Sequence, residues 1–231
     1  MALRAIVFDF DGVIADSEPL HFQAFADILV QAGIALTEPN YYARYLGFSD
    51  LGVFEAVGTD RGLAWSADHV TELAVRKAAR LEALERNRSV LFPGAEALIR
   101  RAGEAVPLAI ASGAIREEIV RVLDRAGLTH WFPVIVAAGE TPASKPAPDP
   151  YLRAVALLSE AAGHPFDPAE CVAIEDSRWG LESARAAGLR TVAVTHSYNA
   201  SALGGADLVV PDLEALQLSD LSRICGGFRQ V

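Results

Sequence analysis

Short apolar runs recur along this chain, each cut off by polar or glycine residues and separated from the next by a stretch with helical spacing. They cover 5–8, 108–111, 134–137, 171–174, 191–194 and 208–210. Runs that are apolar without alternation suit strands buried on both faces of a parallel sheet. Helical patterns at 93–104, 115–126, 151–162 and 180–187 lie between them, with Gly127 and Gly188 as stops. Strands and helices in this order predict right-handed βαβ units and an α/β, doubly wound parallel sheet of Rossmann type. After the first run the alternation breaks. Helical patterns at 19–32, 40–46, 50–57 and 66–86 follow one another with no strand. The expected organisation is therefore a core of residues 1–15 and 89–231 carrying an inserted α-helical cap of residues 16–88.

A chain of 231 residues that is 52% hydrophobic can bury one sizeable core and a smaller insert. Its apolar runs are shorter than a membrane span, and its start lacks a signal-peptide pattern, so a soluble cytoplasmic protein is expected. Cys171 and Cys225 offer little scope for a disulfide framework. The net charge of −10, with no basic stripe, disfavours nucleic acid and anionic membranes as partners. A small anionic substrate stays compatible if a metal ion and local cations reverse the field within a site. A monomer is the expected state, although the residue pattern leaves oligomeric state open.

The polar residues at the strand ends have a shared logic. Ligands of open α/β sheets bind outside the carboxyl ends of the strands. There this chain has Asp9-Phe10-Asp11-Gly12, then Ser112, Lys145 in the loop after the third run, and Glu175-Asp176. On an extended exit from the strand Asp9 and Asp11 would point the same way, with Phe10 turned back into packing. One carboxylate can then serve as nucleophile and the other as general acid and base. Four acids in one place repel unless a cation or protons intervene. Oxygen ligands of this kind suit Mg²⁺, which accepts one or two carboxylates, waters and a substrate phosphate. Taken singly, each residue also reads as a turn, a helix cap or a solvated lysine.

With these motifs in this order, the chain resembles the haloacid dehalogenase superfamily of aspartate-nucleophile phosphotransferases over nearly its whole length. It is similar to the branch with an α-helical cap, which includes phosphoglycolate phosphatase, CbbY-like and sugar-phosphate phosphatases, and β-phosphoglucomutase. The resemblance implies that Asp9 attacks phosphorus and forms an aspartyl-phosphate, and that Asp11 protonates the leaving oxygen and then activates water. It implies that Ser112 and Lys145 bind the transferring group. Mg²⁺ would be held by Asp9, the main-chain carbonyl of Asp11 and Asp176, with Glu175 close by. The expected function is Mg²⁺-dependent hydrolysis of a small phosphorylated metabolite, a sugar phosphate or related phosphomonoester.

In the cap, His21, the Gly47-Phe48-Ser49 segment and Arg76-Lys77 are similar to the corresponding parts of β-phosphoglucomutase. The resemblance implies that His21 couples cap closure to Asp11 and that Lys77 meets a phosphate or sugar hydroxyl. Without it, His21 reads as a helix-surface histidine and Lys77 as a solvated lysine. Asp50 stands where that mutase has an arginine, which favours a phosphatase over the alternative phosphomutase. Asp11 disfavours dehalogenation, and the cap lacks the signature of a phosphonate hydrolase. A non-catalytic regulator that binds a phosphorylated ligand is a further alternative, opposed by the intact motif set. His196 and Tyr198 follow the fifth run, within reach of the site rim but with a surface loop as the expected placement, and Trp179 is expected between domains. The order of 221–231 is left open.

Overall fold

The computed structural model describes residues 2–46, 48–86 and 89–226. Gly47 of the Gly47-Phe48-Ser49 segment, Arg88 at the end of the expected cap, and residues 227–231 of the final segment lie outside them. The chain forms two compact units, Met1–Asp16 with Val90–Val231, and Ser17–Ser89.

Strand β1 (Ala5–Phe8) opens the chain. Four helices of the inserted unit follow, α1 (Glu18–Leu29), α2 (Glu38–Arg44), α3 (Asp50–Asp60) and α4 (Ala67–Glu85). The chain returns through α5 (Ala95–Gly103), β2 (Leu108–Ala111), α6 (Arg116–Arg125), β3 (Val134–Val136), α7 (Asp149–Ala162) and β4 (Cys171–Glu175). It ends with α8 (Arg178–Ala186), β5 (Arg190–Val194), β6 (Leu208–Val210) and α9 (Leu218–Gly226). The strands form one six-stranded parallel sheet in the order β3-β2-β1-β4-β5-β6.

This order explains the apolar runs. Side chains alternate between faces of a strand, and here both faces are covered. Val7, Ala109, Ala111, Val136 and Ala173 share a buried cluster with Tyr151, Ala154 and Leu158 of α7 and Ala184 of α8. On the other face Ile6, Phe8, Leu108 and Ile110 are equally inaccessible. Successive strands lead away from β1 in one direction and, from β4 on, in the other. The crevice for a ligand in such a sheet lies at that switch, at the carboxyl ends of β1 and β4.

The inserted unit has its own core. Phe25, Leu29, Tyr41, Phe54, Val57 and Leu73 are buried together, with the Phe25 and Phe54 rings 5.2 Å apart, edge to face. Ser49 and Ser66 cap α3 and α4, accepting from the amides of Gly52 and His69. The periodicity across 19–32 contains a boundary that residue types do not mark: α1 ends at Leu29, and residues 30–32 tighten into a 3-10 turn before Gly33. Helix α9 lies in a stretch with no clear sequence signal for an element, and it buries Leu221 and Cys225.

Candidate functional site

The turn after β1 is built by one carbonyl. Phe10 O accepts from the amides of Val13, Ile14 and Ala15, which coils the chain through a single helical turn. Asp16 N then donates to Val90 O and Phe92 N to Ile14 O, with an antiparallel bridge between Ala15 and Leu91. These bonds hold the point where the chain leaves the sheet unit beside the point where it returns. Phe10 is buried, as its expected role in packing requires, Asp9 is nearly buried, and Asp11 is exposed on the same turn.

Gly12 has φ +76° in this turn, and a Cβ there would stand 1.9 Å from Asp176 Oδ2. Glycine thus answers both the backbone conformation and the close approach of the Asp176 carboxylate just after β4. His196 Nδ1 lies 2.8 Å from Gly12 O, with its ring stacked on Phe92 at 3.9 Å. His196 lies in the loop after β5, half-buried, and braces the turn although the two are 184 positions apart.

Lys145, from the loop between β3 and α7, brings two strand ends together. Its Nζ donates to Asp9 Oδ1 at 2.8 Å and to Glu175 Oε1 at 2.6 Å. Glu175 is wholly buried and heavily used. Tyr151 OH donates to Oε1 at 2.7 Å, Ser177 Oγ to Oε2 at 3.0 Å, and the amides of Asp176 and Ser177 to Oε2 at 3.2 and 3.3 Å. Space for this carboxylate depends on Gly180, where a Cβ would fall 1.8 Å from Oε1. Ser177 also caps α8 by accepting from Gly180 N. Tyr151, Ser177 and His196 thus support the site, although no motif marks Tyr151 or Ser177.

The electrostatics favour a cation. Burial, followed by repulsion from Glu175, raises the Asp9 carboxyl well above its ordinary range. Burial lifts Asp176 to about 6 despite a hydrogen bond from Ser197, and Glu175 adds to the rise. For Lys145 burial acts against the charge, but Asp9 and Glu175 outweigh it and hold the ammonium above its usual range. One oxygen each from Asp9, Glu175 and Asp176 lies within 4.8 Å of the others. Buried oxygens this close, with two carboxyls made reluctant to ionise, fit a hard divalent cation.

Ser112 follows β2, buried, its amide tied to Val136 O at 2.9 Å and its Oγ accepting from Ala114 N at 3.1 Å. Ser112 and Lys145 line a cavity of about 540 Å³ that runs toward the loop after β3. Asp9, Ser112, Lys145, Glu175 and Asp176 therefore all stand at the carboxyl edge of the sheet unit.

In the inserted unit, Lys77 is fully buried, so it is no solvated lysine of a charged helix. Its Nζ donates to Asp50 Oδ1 at 2.6 Å, lies 2.9 Å from His21 Nδ1, and sits 4.6 Å from the centre of the Phe25 ring. Asp50 opens α3, Lys77 lies on α4 and His21 on α1, so the contacts tie three helices. Trp179 is half exposed with the Arg178 guanidinium 4.7 Å from its ring, and Tyr198 is exposed. No helix among the described residues is long and apolar enough to cross a membrane.

Comparison with known proteins places the fold in a family. The family model for haloacid dehalogenase-like hydrolases matches residues 3–188. Protein CbbY of Rhodobacter capsulatus is 35% identical over 224 residues, covering 93% of this chain and 96% of that protein. Hexitol phosphatase B of Escherichia coli K12 is 32% identical over 224 residues, covering 95% and 96%. The crystal structure of CbbY from Rhodobacter sphaeroides in complex with phosphate superposes with a TM-score of 0.79 at 26% identity, covering 96% of this chain and 99% of that one. A family match over most of the length, relatives above 30% identity across nearly whole chains, and the shared parallel-sheet fold give one result: this chain is a hydrolase and belongs to the haloacid dehalogenase-like family.

Proposed function

We propose that the protein is a Mg²⁺-dependent phosphatase that hydrolyses a small phosphorylated sugar or related phosphomonoester through an aspartyl-phosphate on Asp9. The observation that carries the reading is the Lys145 bridge, which sets one ammonium between Asp9 and Glu175 beside Asp176. The names of relatives such as hexitol phosphatase B support the phosphate-ester chemistry and the sugar class.

In this reading Asp9 Oδ attacks phosphorus and displaces the alcohol. Asp11, exposed on the neighbouring turn, donates a proton to the departing oxygen and then takes one from the water that hydrolyses the acyl phosphate. Lys145 and Ser112 hold phosphoryl oxygens. Lys145 also favours the ionised form of Asp9 against burial and the repulsion of Glu175, an electrostatic role distinct from proton transfer. Asp9, Asp176 and the Asp11 carbonyl would hold Mg²⁺, while Glu175, with both oxygens engaged, arranges Lys145 and the start of α8. The ion would supply charge neutralisation between an anionic nucleophile and an anionic ester. The inserted helical unit, residues 16–88, is proposed as a cap that takes part in choosing the leaving group, with His21 as its candidate residue. Lys77 is buried with its charge met by Asp50, which argues against a bisphosphate-binding mutase relying on that lysine.

The test is phosphate release from a panel of phosphorylated sugars and polyols with Mg²⁺, with Asp11→Asn alongside. Release by the unaltered protein, reduced at least a hundredfold in the variant, supports the reading. Conversion of β-glucose 1-phosphate to glucose 6-phosphate without net release would replace it with the mutase, and binding with no turnover would replace it with the regulator.

A further inference from the structure

We infer that Arg116 and Glu140 are positioning residues, an ion pair that aims the Ser112 hydroxyl at the transferring phosphoryl group by way of the turn after β2. This inference rests on the phosphatase reading and deepens it.

Ser112 Oγ accepts from Ala114 N at 3.1 Å. A hydroxyl has one proton to give and lone pairs with which to receive. With a lone pair taken by an amide of its own chain, the Ser112 proton remains for an acceptor such as a phosphoryl oxygen. The same amide sets the rotation of the hydroxyl, so the direction of that proton depends on where Ala114 sits.

Ala114 belongs to no helix or strand. Its carbonyl accepts from Ala138 N at 2.9 Å, which anchors it to the loop after β3. One carboxylate folds that loop. Glu140 Oε2 accepts from Ala137 N at 3.0 Å, and Glu140 N donates to Ala137 O at 3.3 Å. Arg116, at the start of α6, closes the ring. Its Nε donates to Glu140 Oε1 at 2.6 Å and its Nη2 to Oε2 at 2.8 Å, while Nη2 also donates to Ile135 O of β3 at 2.6 Å. The bonds therefore run from Ser112 through Ala114, Ala138 and Glu140 back to the residue that opens α6.

The pair suits placement better than stability. A guanidinium meeting a carboxylate through two parallel bonds fixes angle as well as distance. The hydrogen bond from Arg116 holds the Glu140 carboxyl below its ordinary range, so the pair is charged at neutral pH. Yet the two side chains are 45% and 35% exposed, and exposed ion pairs add little to folding. The guanidinium charge is met by Glu140 inside the ring and is not held out toward an anion.

Calorimetric titration of inorganic phosphate into the protein with saturating Mg²⁺ reads the effect apart from turnover. Arg116→Ala and Glu140→Ala are each expected to weaken phosphate binding about tenfold, as the loss of one hydrogen bond to a charged group would do. The double variant should bind no more weakly than either single one, and in a Ser112→Ala background Arg116→Ala should add less than twofold. Arg116→Lys, which keeps the charge without the paired bonds, should recover only part of the affinity. The kcat/KM for the best ester of the panel should follow the same pattern, with melting temperatures lower by a few degrees at most.

The full effect of Arg116→Ala persisting in the Ser112→Ala background, or unchanged or tighter binding in Glu140→Ala, would mean that Arg116 meets the phosphate itself and would overturn the positioning role. Unchanged binding and kcat/KM in both single variants, whatever the melting temperature, would leave a structural pair and overturn it as well. Phosphate binding that follows this cycle, with no ester hydrolysed by the unaltered protein, would count against the phosphatase reading while supporting the placement of Ser112. No phosphate binding by the unaltered protein would overturn both the phosphoryl role of Ser112 and the positioning of it.

Discussion

Both oxygens of Glu175 are occupied, Oε1 by Lys145 and the Tyr151 hydroxyl, Oε2 by Ser177 and two amides. Removing this carboxylate leaves the Tyr151 phenol without its acceptor and the Lys145 ammonium with Asp9 alone, and breaking a buried ion pair costs about 3–5 kcal/mol. Glu175→Ala should therefore lower the melting temperature by roughly 10 °C, as scanning calorimetry would show. A melting temperature within two or so degrees of wild type would mean that Glu175 does not organise the cluster. Gly12 is a sharper case, because its positive φ and the 1.9 Å approach of Asp176 Oδ2 leave no room for a methyl group. Gly12→Ala should reduce kcat about a hundredfold by moving Asp176 or the turn bearing Asp11, and near-native turnover would refute that placement.

At the scale of elements, strand ends were far more legible than the contacts that hold them. The apolar runs locate Asp9, Ser112 and Glu175 because a strand buried on both faces ends where polarity resumes, and parallel strands put those ends on one edge. Tyr151 gave no such signal: a tyrosine on an amphipathic helix reads as core, and its hydroxyl finds Glu175 only through the packing of α7 on the sheet. His196 and Lys77 were obscured for the same reason, since each meets partners remote in sequence. Lys77 shows the cost of that remoteness. On α4 it lies among exposed charges, yet Asp50 of α3 draws it fully inside. Asp50→Ala should strip a buried ammonium of its counter-ion and destabilise the protein by about 3 kcal/mol, whereas adding Lys77→Met should recover most of the loss. Urea unfolding of the single and double variants measures this, and additive losses would contradict it. Helix α9 is not legible in the sequence because its short amphipathic stretch follows a loop without a clear N-terminal signal, and its place depends on burying Leu221 and Cys225.

At the scale of the whole molecule, the sheet order puts the switch between β1 and β4 under the carboxylates, so topology, charge and chemistry meet at one edge. Burial raises the Asp9 and Asp176 carboxyls, and a bound divalent cation would offset the unfavourable ionisation that this implies. Mg²⁺ should accordingly raise the melting temperature of the unaltered protein by a few degrees, by mass action on the folded state, and Asp176→Asn should abolish most of that rise. Chelation should abolish phosphate release, and readdition of Mg²⁺ should restore it. Turnover that persists through thorough chelation would remove the metal from the account.

The central claim is that Asp9 becomes phosphorylated. Rapid acid quenching during turnover of a phosphate-labelled sugar ester, followed by mapping of label on the protein, addresses it directly. The account predicts a phosphoprotein whose label sits on Asp9, is released by hydroxylamine as an acyl phosphate should be, and is absent from Asp9→Asn together with turnover. Phosphate release by Asp9→Asn at a rate near wild type, with no label on the protein, would contradict it.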